Sequence, residues 1–108
     1  MLLRALPALL LLWGAGAAQA QPAQTTPAQR GRAIAAANCA DCHAIDRSGA
    51  SPLAAAPPFR ELHRRYPVSQ LSEALAEGIV TGHSAMPEFR MTRTQISDFI
   101  AYLRRLER

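Results

Sequence analysis

Lysine is absent from the 108 residues; all twelve basic side chains are arginine, against eight acids, for a formal charge of +4. They are scattered along the chain, which argues against the concentrated basic patch that nucleic-acid binding needs. Aromatics make up only 6 %, and the one tryptophan, Trp13, lies in the N-terminal apolar stretch. That stretch is too short for the roughly 20 residues a transmembrane helix needs, and Pro7 interrupts it. Later segments contain no candidate span, no internal repeat and nothing that reads as strand. Cysteine is nearly absent too. Cys39 and Cys42 stand only three positions apart, a spacing that makes a poor structural disulfide because the closed loop is tiny.

What is present is Cys39-Ala40-Asp41-Cys42-His43. Two thiols at this spacing can each add across a haem vinyl group, and the histidine that follows is then held where its ring can ligate the iron. This is the signature of c-type haem attachment. A thioredoxin-like redox pair needs a strand before the motif, whereas Arg30 to Asn38 reads as helix. A zinc site needs a second ligand pair, and only His63 and His83 remain.

Residues 1–20 read as a cleaved secretory signal peptide: Arg4, an apolar run through Trp13, then Ala18-Gln19-Ala20 as an A-x-A cleavage site. Cleavage after Ala20 removes one basic residue and no acid, leaving an exported, periplasmic chain of charge +3. Residues 21–26 read as a flexible lead-in, and 27–108 as one small domain. A chain this short has little core of its own, so a central apolar cofactor is expected to organise it.

Thr26-Pro27 offers an N-cap and a first helical residue for a helix ending near Asn38, with Gly31, Ile34 and Ala35 on one narrow face. Residues 44–58 lack periodicity and form a long loop. Phe59 to Tyr66 reads as a short helix stopped by Pro67, with Phe59, Leu62 and Tyr66 inward. Ser69 is placed to cap the next helix, in which Leu71, Ala74, Leu75 and Ile79 share a face and Gly78 marks the end. The last helix starts at Thr92 or Thr94, with Ile96, Phe99, Ile100 and Leu103 as one buried stripe. Arg104, Arg105 and Arg108 suit its C-terminal dipole.

An iron held by His43 takes a sixth ligand or keeps an open site. The candidates are Met86, Met91, His63 and His83. Met86 lies in a loop and is followed by Pro87, which stiffens the approach; a loop thioether has few other burial partners, so Met86 is the expected ligand. Met91 sits at the edge of the last helix and reads as core, and His63, among Arg60, Arg64 and Arg65, reads as surface. His83 ligates only if the loop shifts.

With these residues the chain resembles the small single-haem class I cytochromes c of bacterial periplasms. The resemblance covers Pro27 to Leu106 and rests on the Cys39–His43 motif, the Met86-Pro87 loop and the terminal Ile100-Ala101-Tyr102-Leu103 helix. It implies an all-α fold of three to five short helices around one covalent haem c. The first and last helices should cross near Gly31 and Tyr102. It implies thioethers from Cys39 and Cys42, with His43 and Met86 as axial ligands. It also implies a proline carbonyl accepting the His43 ring N–H, from Pro58 or Pro57 in Ala56-Pro57-Pro58-Phe59.

The reading is a one-electron carrier rather than an enzyme, since no side chains are arranged for acid–base or nucleophilic work. Ile34, Phe59, Leu62, Leu71, Leu75, Ile79, Phe89 and Phe99 are the candidate haem-burying side chains. Expected partners are transient redox proteins with acidic docking surfaces, met by a monomer. Two rivals are a small-ligand binding or sensing protein with a displaceable methionine, and a dedicated electron-entry subunit of one dehydrogenase or oxidase.

Overall fold

The first helix begins where Thr26 can cap it: its hydroxyl accepts from the Gln29 N–H at 3.2 Å while the Gln29 side chain accepts from the Thr26 N–H at 2.8 Å. This reciprocal box, with Pro27 at the first helical position, fixes α1 as Pro27–Asn38. The same device starts the last helix, α3 (Arg93–Arg105), where Thr92 and Gln95 form the box. Between Thr92 and Thr94, the cap is therefore Thr92. The computed structural model describes residues 14–19, 25–79, 85–88 and 90–108. Most of the segments expected to be a signal peptide (residues 1–20) and a lead-in (residues 21–26), together with His83 and Phe89, lie outside the described residues.

Between α1 and α3 run a 3-10 helix, η1 (Phe59–Arg64), a single 3-10 turn (Val68–Gln70) and a short helix, α2 (Leu71–Glu77). Among the described residues there is no strand, so the architecture is all-α as expected. Two details differ from the sequence reading. The turn at Val68–Gln70 replaces a capped helix start, and the Ser69 side chain makes no cap. Pro67 accounts for this, because its carbonyl takes the Gln70 N–H at 3.0 Å and so closes the tighter turn first. Tyr66, expected inward, is 38 % exposed.

The core forms where α1 and α3 cross. Gly31 is buried on α1, and a Cβ built there would lie 2.0 Å from the Asp98 carbonyl oxygen and 2.8 Å from Tyr102 Cβ. Only glycine lets the two backbones approach this closely. From the crossing, Ile96, Phe99, Ile100 and Leu103 face Leu71 and Leu75 of α2 and Phe59 and Leu62 of η1. The buried stripe expected on α3 is thus present, with one polar interruption.

That interruption is Asp98, which is buried and receives a two-pronged ion pair from Arg30, at 2.8 Å and 2.9 Å. The Arg30 hydrogen bond holds the Asp98 carboxyl below the usual carboxylate range. The pair's stabilisation is complete above the unfolded carboxylate pKa of about 4 and is lost as pH falls through the lower, folded value. Asp98→Asn is therefore expected to lower thermal stability at neutral pH. Its deficit should shrink in acid, where the wild type loses the same interaction. Thermal melts of both proteins across acid pH check this.

Candidate functional site

The motif is one turn continuing from α1. The Cys39 N–H donates to the Ala35 carbonyl at 2.8 Å, and the His43 N–H donates to the Cys39 carbonyl at 2.9 Å. Cys39, Cys42 and His43 thereby line one cavity of about 640 Å³. Phe59 and Leu62 of η1, Leu71 and Leu75 of α2, Ile79 and Phe99 complete much of its apolar wall. Ile34, also named from sequence as a haem-burying residue, is not in the lining; it packs against the outside of the core cluster.

The loop after the motif is bonded to its surroundings nearly residue by residue. The Leu53 N–H donates to the Cys42 carbonyl, the Ala44 N–H to Ser51 Oγ, and the Phe59 N–H to the Ala44 carbonyl. The Tyr102 hydroxyl lies 2.5 Å from the Ile45 carbonyl and 3.0 Å from Asp46 Oδ1, which Arg32 also pairs at 3.0 Å. Burial, reinforced by the Asp46 hydrogen bond, pushes the Tyr102 hydroxyl up to about 12, so it stays a donor. Arg47 donates to the carbonyls of Arg105 and Arg108 at the end of α3. Residues 45–47 thus tie the motif to both crossing helices. These ties were not found in the sequence, because no spacing rule links Ile45 to Tyr102 across 57 positions.

His43 Nδ1 lies 2.8 Å from the Pro57 carbonyl. A carbonyl can only accept, so Nδ1 carries the proton and Nε2 keeps the lone pair that a metal needs. The sequence reading named Pro58, with Pro57 as the alternative; the orienting carbonyl is that of Pro57. The Pro58 carbonyl is engaged in opening η1, where it accepts from the Glu61 N–H at 3.0 Å. The ring is further fixed by Phe59, at 4.9 Å between centroids, and Phe59 meets Phe99 edge-on at 5.7 Å.

Met86 is half-buried and lines the same cavity, while Met91 is buried in the core cluster and also reaches the lining. The Met91 N–H donates to the Leu75 carbonyl at 2.9 Å, so the loop carrying Met86 is closed at its base against α2. Gly78, at φ 101°, turns the chain out of α2 where Glu88 Oε1 would meet any Cβ at 2.5 Å. His63 is not the exposed residue that its arginine neighbours suggest. It is half-buried, off this cavity, and its buried Nδ1 has no partner.

The donor set fits a haem and does not fit the two rival readings of the motif. A reactive redox dithiol needs a depressed thiol pKa, whereas burial pushes the Cys39 thiol up to about 11. A helix, not a strand, precedes the pair. Among the described residues no three His, Cys, Asp or Glu side chains cluster as a metal site. The wide apolar chamber, two thiols and an oriented imidazole at its wall are what a covalently attached porphyrin requires. Nor, among the described residues, is any helix long and apolar enough to cross a membrane.

Comparison with known proteins agrees. The family model "Cytochrome c" matches residues 28–107. The chain is 34 % identical over 87 residues to the cytochrome c-552 of Bradyrhizobium diazoefficiens, covering 81 % of this chain and 82 % of that protein. No solved structure matches. The match spans the motif, the cavity walls and the α1–α3 crossing together, and the chain therefore belongs to the cytochrome c family, as a class I, single-haem electron-transfer protein carrying covalent haem c.

Proposed function

We propose that this protein is a periplasmic one-electron carrier with His43 and Met86 as the axial ligands of its haem. The observation that carries this reading is the shared cavity: an imidazole with its Nδ1 proton committed to Pro57 and a loop thioether line one apolar chamber. When bound, the haem supplies a one-electron couple, its iron alternating between ferrous and ferric. The protein's part is to hold that couple with little rearrangement. Cys39 and Cys42 hold the porphyrin through thioethers, and Pro57 and Phe59 keep the imidazole from rotating. The side chains of Phe59, Leu62, Leu71, Leu75 and Phe99 exclude water, which favours the less charged ferrous state. Leu53, Arg65 and Tyr66 also line the chamber and are open to solvent, which makes them the entry for electrons.

Residues 1–20 act in this reading as the export signal, cleaved after Ala20, with residues 21–26 as a flexible lead-in to the haem domain. The mature protein is a monomer that meets its redox partners transiently and performs no chemistry of its own. An absorption spectrum of the matured protein, oxidised and reduced, tests the assignment after acid–acetone extraction. Haem that survives extraction, with low-spin bands and a far-red methionine–iron band, is expected. Met86→Ala should abolish that far-red band and lower the reduction potential, and Met91→Ala should do neither. A larger effect from Met91→Ala overturns the ligand assignment. Covalent but high-spin haem in the wild type points instead to small-ligand binding.

A further inference from the structure

The carbonyl that orients His43 belongs to a pair of prolines, and the two rings do different jobs. The Pro57 oxygen lies 2.8 Å from His43 Nδ1 and, among the described residues, accepts from no main-chain N–H. It has a competitor close by. η1 begins at Phe59, and the N–H groups of its first turn need acceptors. If residue 57 turned helical, the Arg60 N–H, three positions on, would take the Pro57 carbonyl. Pro58 forbids that turn, because its ring clashes with a preceding residue in the helical region and confines it to extended backbone. Pro58 is itself extended, at φ −58° and ψ 137°, and gives its own carbonyl to the Glu61 N–H at 3.0 Å. The 3-10 helix thus starts one residue too late to claim the Pro57 oxygen. The chain is also tied on either side. The Ala56 N–H donates to the Leu53 carbonyl and the Phe59 N–H to the Ala44 carbonyl, both at 2.9 Å.

Pro58 changes the acceptor as well as its direction. The peptide between Pro57 and Pro58 is a tertiary amide, with a ring carbon where other peptides carry hydrogen. Alkyl substitution at that nitrogen pushes electron density onto the oxygen, so this carbonyl accepts more strongly than one followed by any other residue. Both effects strengthen the same hydrogen bond. A stronger bond at Nδ1 raises the electron density at Nε2, the atom left for a metal, which favours the ferric state and lowers the reduction potential. We propose that Pro58 is a positioning residue for His43: it keeps the Pro57 carbonyl on Nδ1, strengthens it as an acceptor, and so lowers the potential of the carrier. One consequence runs against intuition. Replacing Pro57, which owns the carbonyl, leaves both the tertiary amide and the constraint from Pro58 in place. Replacing Pro58 removes both, so the ring at 58 matters more than the ring at 57.

The proposal rests on His43 as an axial ligand, and its test separates the two. Haem-loaded wild type, Pro58→Ala, Pro57→Ala and Pro67→Ala are compared by voltammetry, thermal melts and NMR of the His43 Nδ1–H in the ferrous form. Pro67 is the matched control. It has φ −60° and ψ 128°, gives its carbonyl to the Gln70 N–H at 3.0 Å ahead of a 3-10 turn, and lies outside the chamber lining. Partial loss of one hydrogen bond in Pro58→Ala should favour the ferrous form about threefold, a rise of about 28 mV at 59 mV per tenfold. Its Nδ1–H should exchange with solvent faster than in the wild type. Pro57→Ala should raise the potential by less than half as much. Pro67→Ala should lower the melting temperature and leave the potential unchanged. If Pro58→Ala does not accumulate with haem, Pro58→Val, whose branched side chain keeps position 58 extended, is read in its place. An unchanged potential in the position-58 variant, or an equal rise in Pro67→Ala, overturns the proposal. So does a larger rise in Pro57→Ala than in Pro58→Ala. The ligand reading fails separately: low-spin bands that persist in His43→Ala defeat it, whatever the proline variants do.

Discussion

Cys39→Ser with Cys42→Ser is expected to give a protein with no haem that survives acid–acetone extraction, and almost no soluble folded material. The first effect is chemical: without either sulfur there is no thioether. The second follows from volume. The chamber measures about 640 Å³ and is lined mostly by side chains that belong to the core cluster or pack against it. Left unfilled, the open chamber leaves in water the apolar side chains that the porphyrin would cover, and each such side chain forfeits about 1.5–3 kcal/mol of burial. A domain of this size has only about 5–15 kcal/mol of stability in total. The empty fold therefore has no margin, and circular dichroism should show much of the helix signal lost. The single variants should each retain one thioether. They should keep haem after extraction in reduced yield, with a shifted reduced-state spectrum. Normal double attachment in either single variant would contradict the role given to the pair.

The motif was legible because its chemistry is local: five consecutive residues carry it, and a helix before them excludes the competing redox motif. The boundaries of α1 and α3 were legible for the same reason, since Thr26 and Thr92 act on residues three positions away. Met91 as a core residue was readable from its place at the edge of an amphipathic helix. What failed depended on contacts distant in sequence. Pro57 and Pro58 are chemically alike, and only the fold decides that one carbonyl meets His43 while the other is taken by Glu61. Asp98 sits in an otherwise apolar stripe, and nothing local shows that Arg30, 68 positions earlier, comes to pair with it. Tyr66 differs for a related reason: in a 3-10 segment, whose period is nearer three, Phe59 and Leu62 share the buried face as expected while Tyr66, four positions after Leu62, turns away from it.

Gly31→Ala is expected to be the most damaging single substitution outside the haem attachments, although it adds one methyl group. At 2.0 Å from the Asp98 carbonyl oxygen and 2.6 Å from its carbon, the new Cβ meets main chain, which no rotamer change can move. Relief requires α1 and α3 to separate at their crossing, where Gly31, Asp98 and Tyr102 are all buried. Separation would lengthen the Arg30–Asp98 pair on one side of the contact. On the other it would pull Tyr102 from the Ile45 carbonyl, the tie that holds the loop after His43. Overpacking alone costs about 1–3 kcal/mol where side chains can adjust, so a backbone clash coupled to one buried and one part-buried polar link should exceed about 3 kcal/mol. For a domain of this length that corresponds to a fall of roughly 15 °C or more in melting temperature. Haem can still attach, because Cys39 and Cys42 are untouched, so the variant should yield a covalent haemoprotein that melts early. Arg30→Ala separates the contributions: it removes the ion pair but leaves the helix contact intact, and it should cost clearly less than Gly31→Ala. If both variants melted within a few degrees of the wild type, the close crossing would not be what holds α1 against α3.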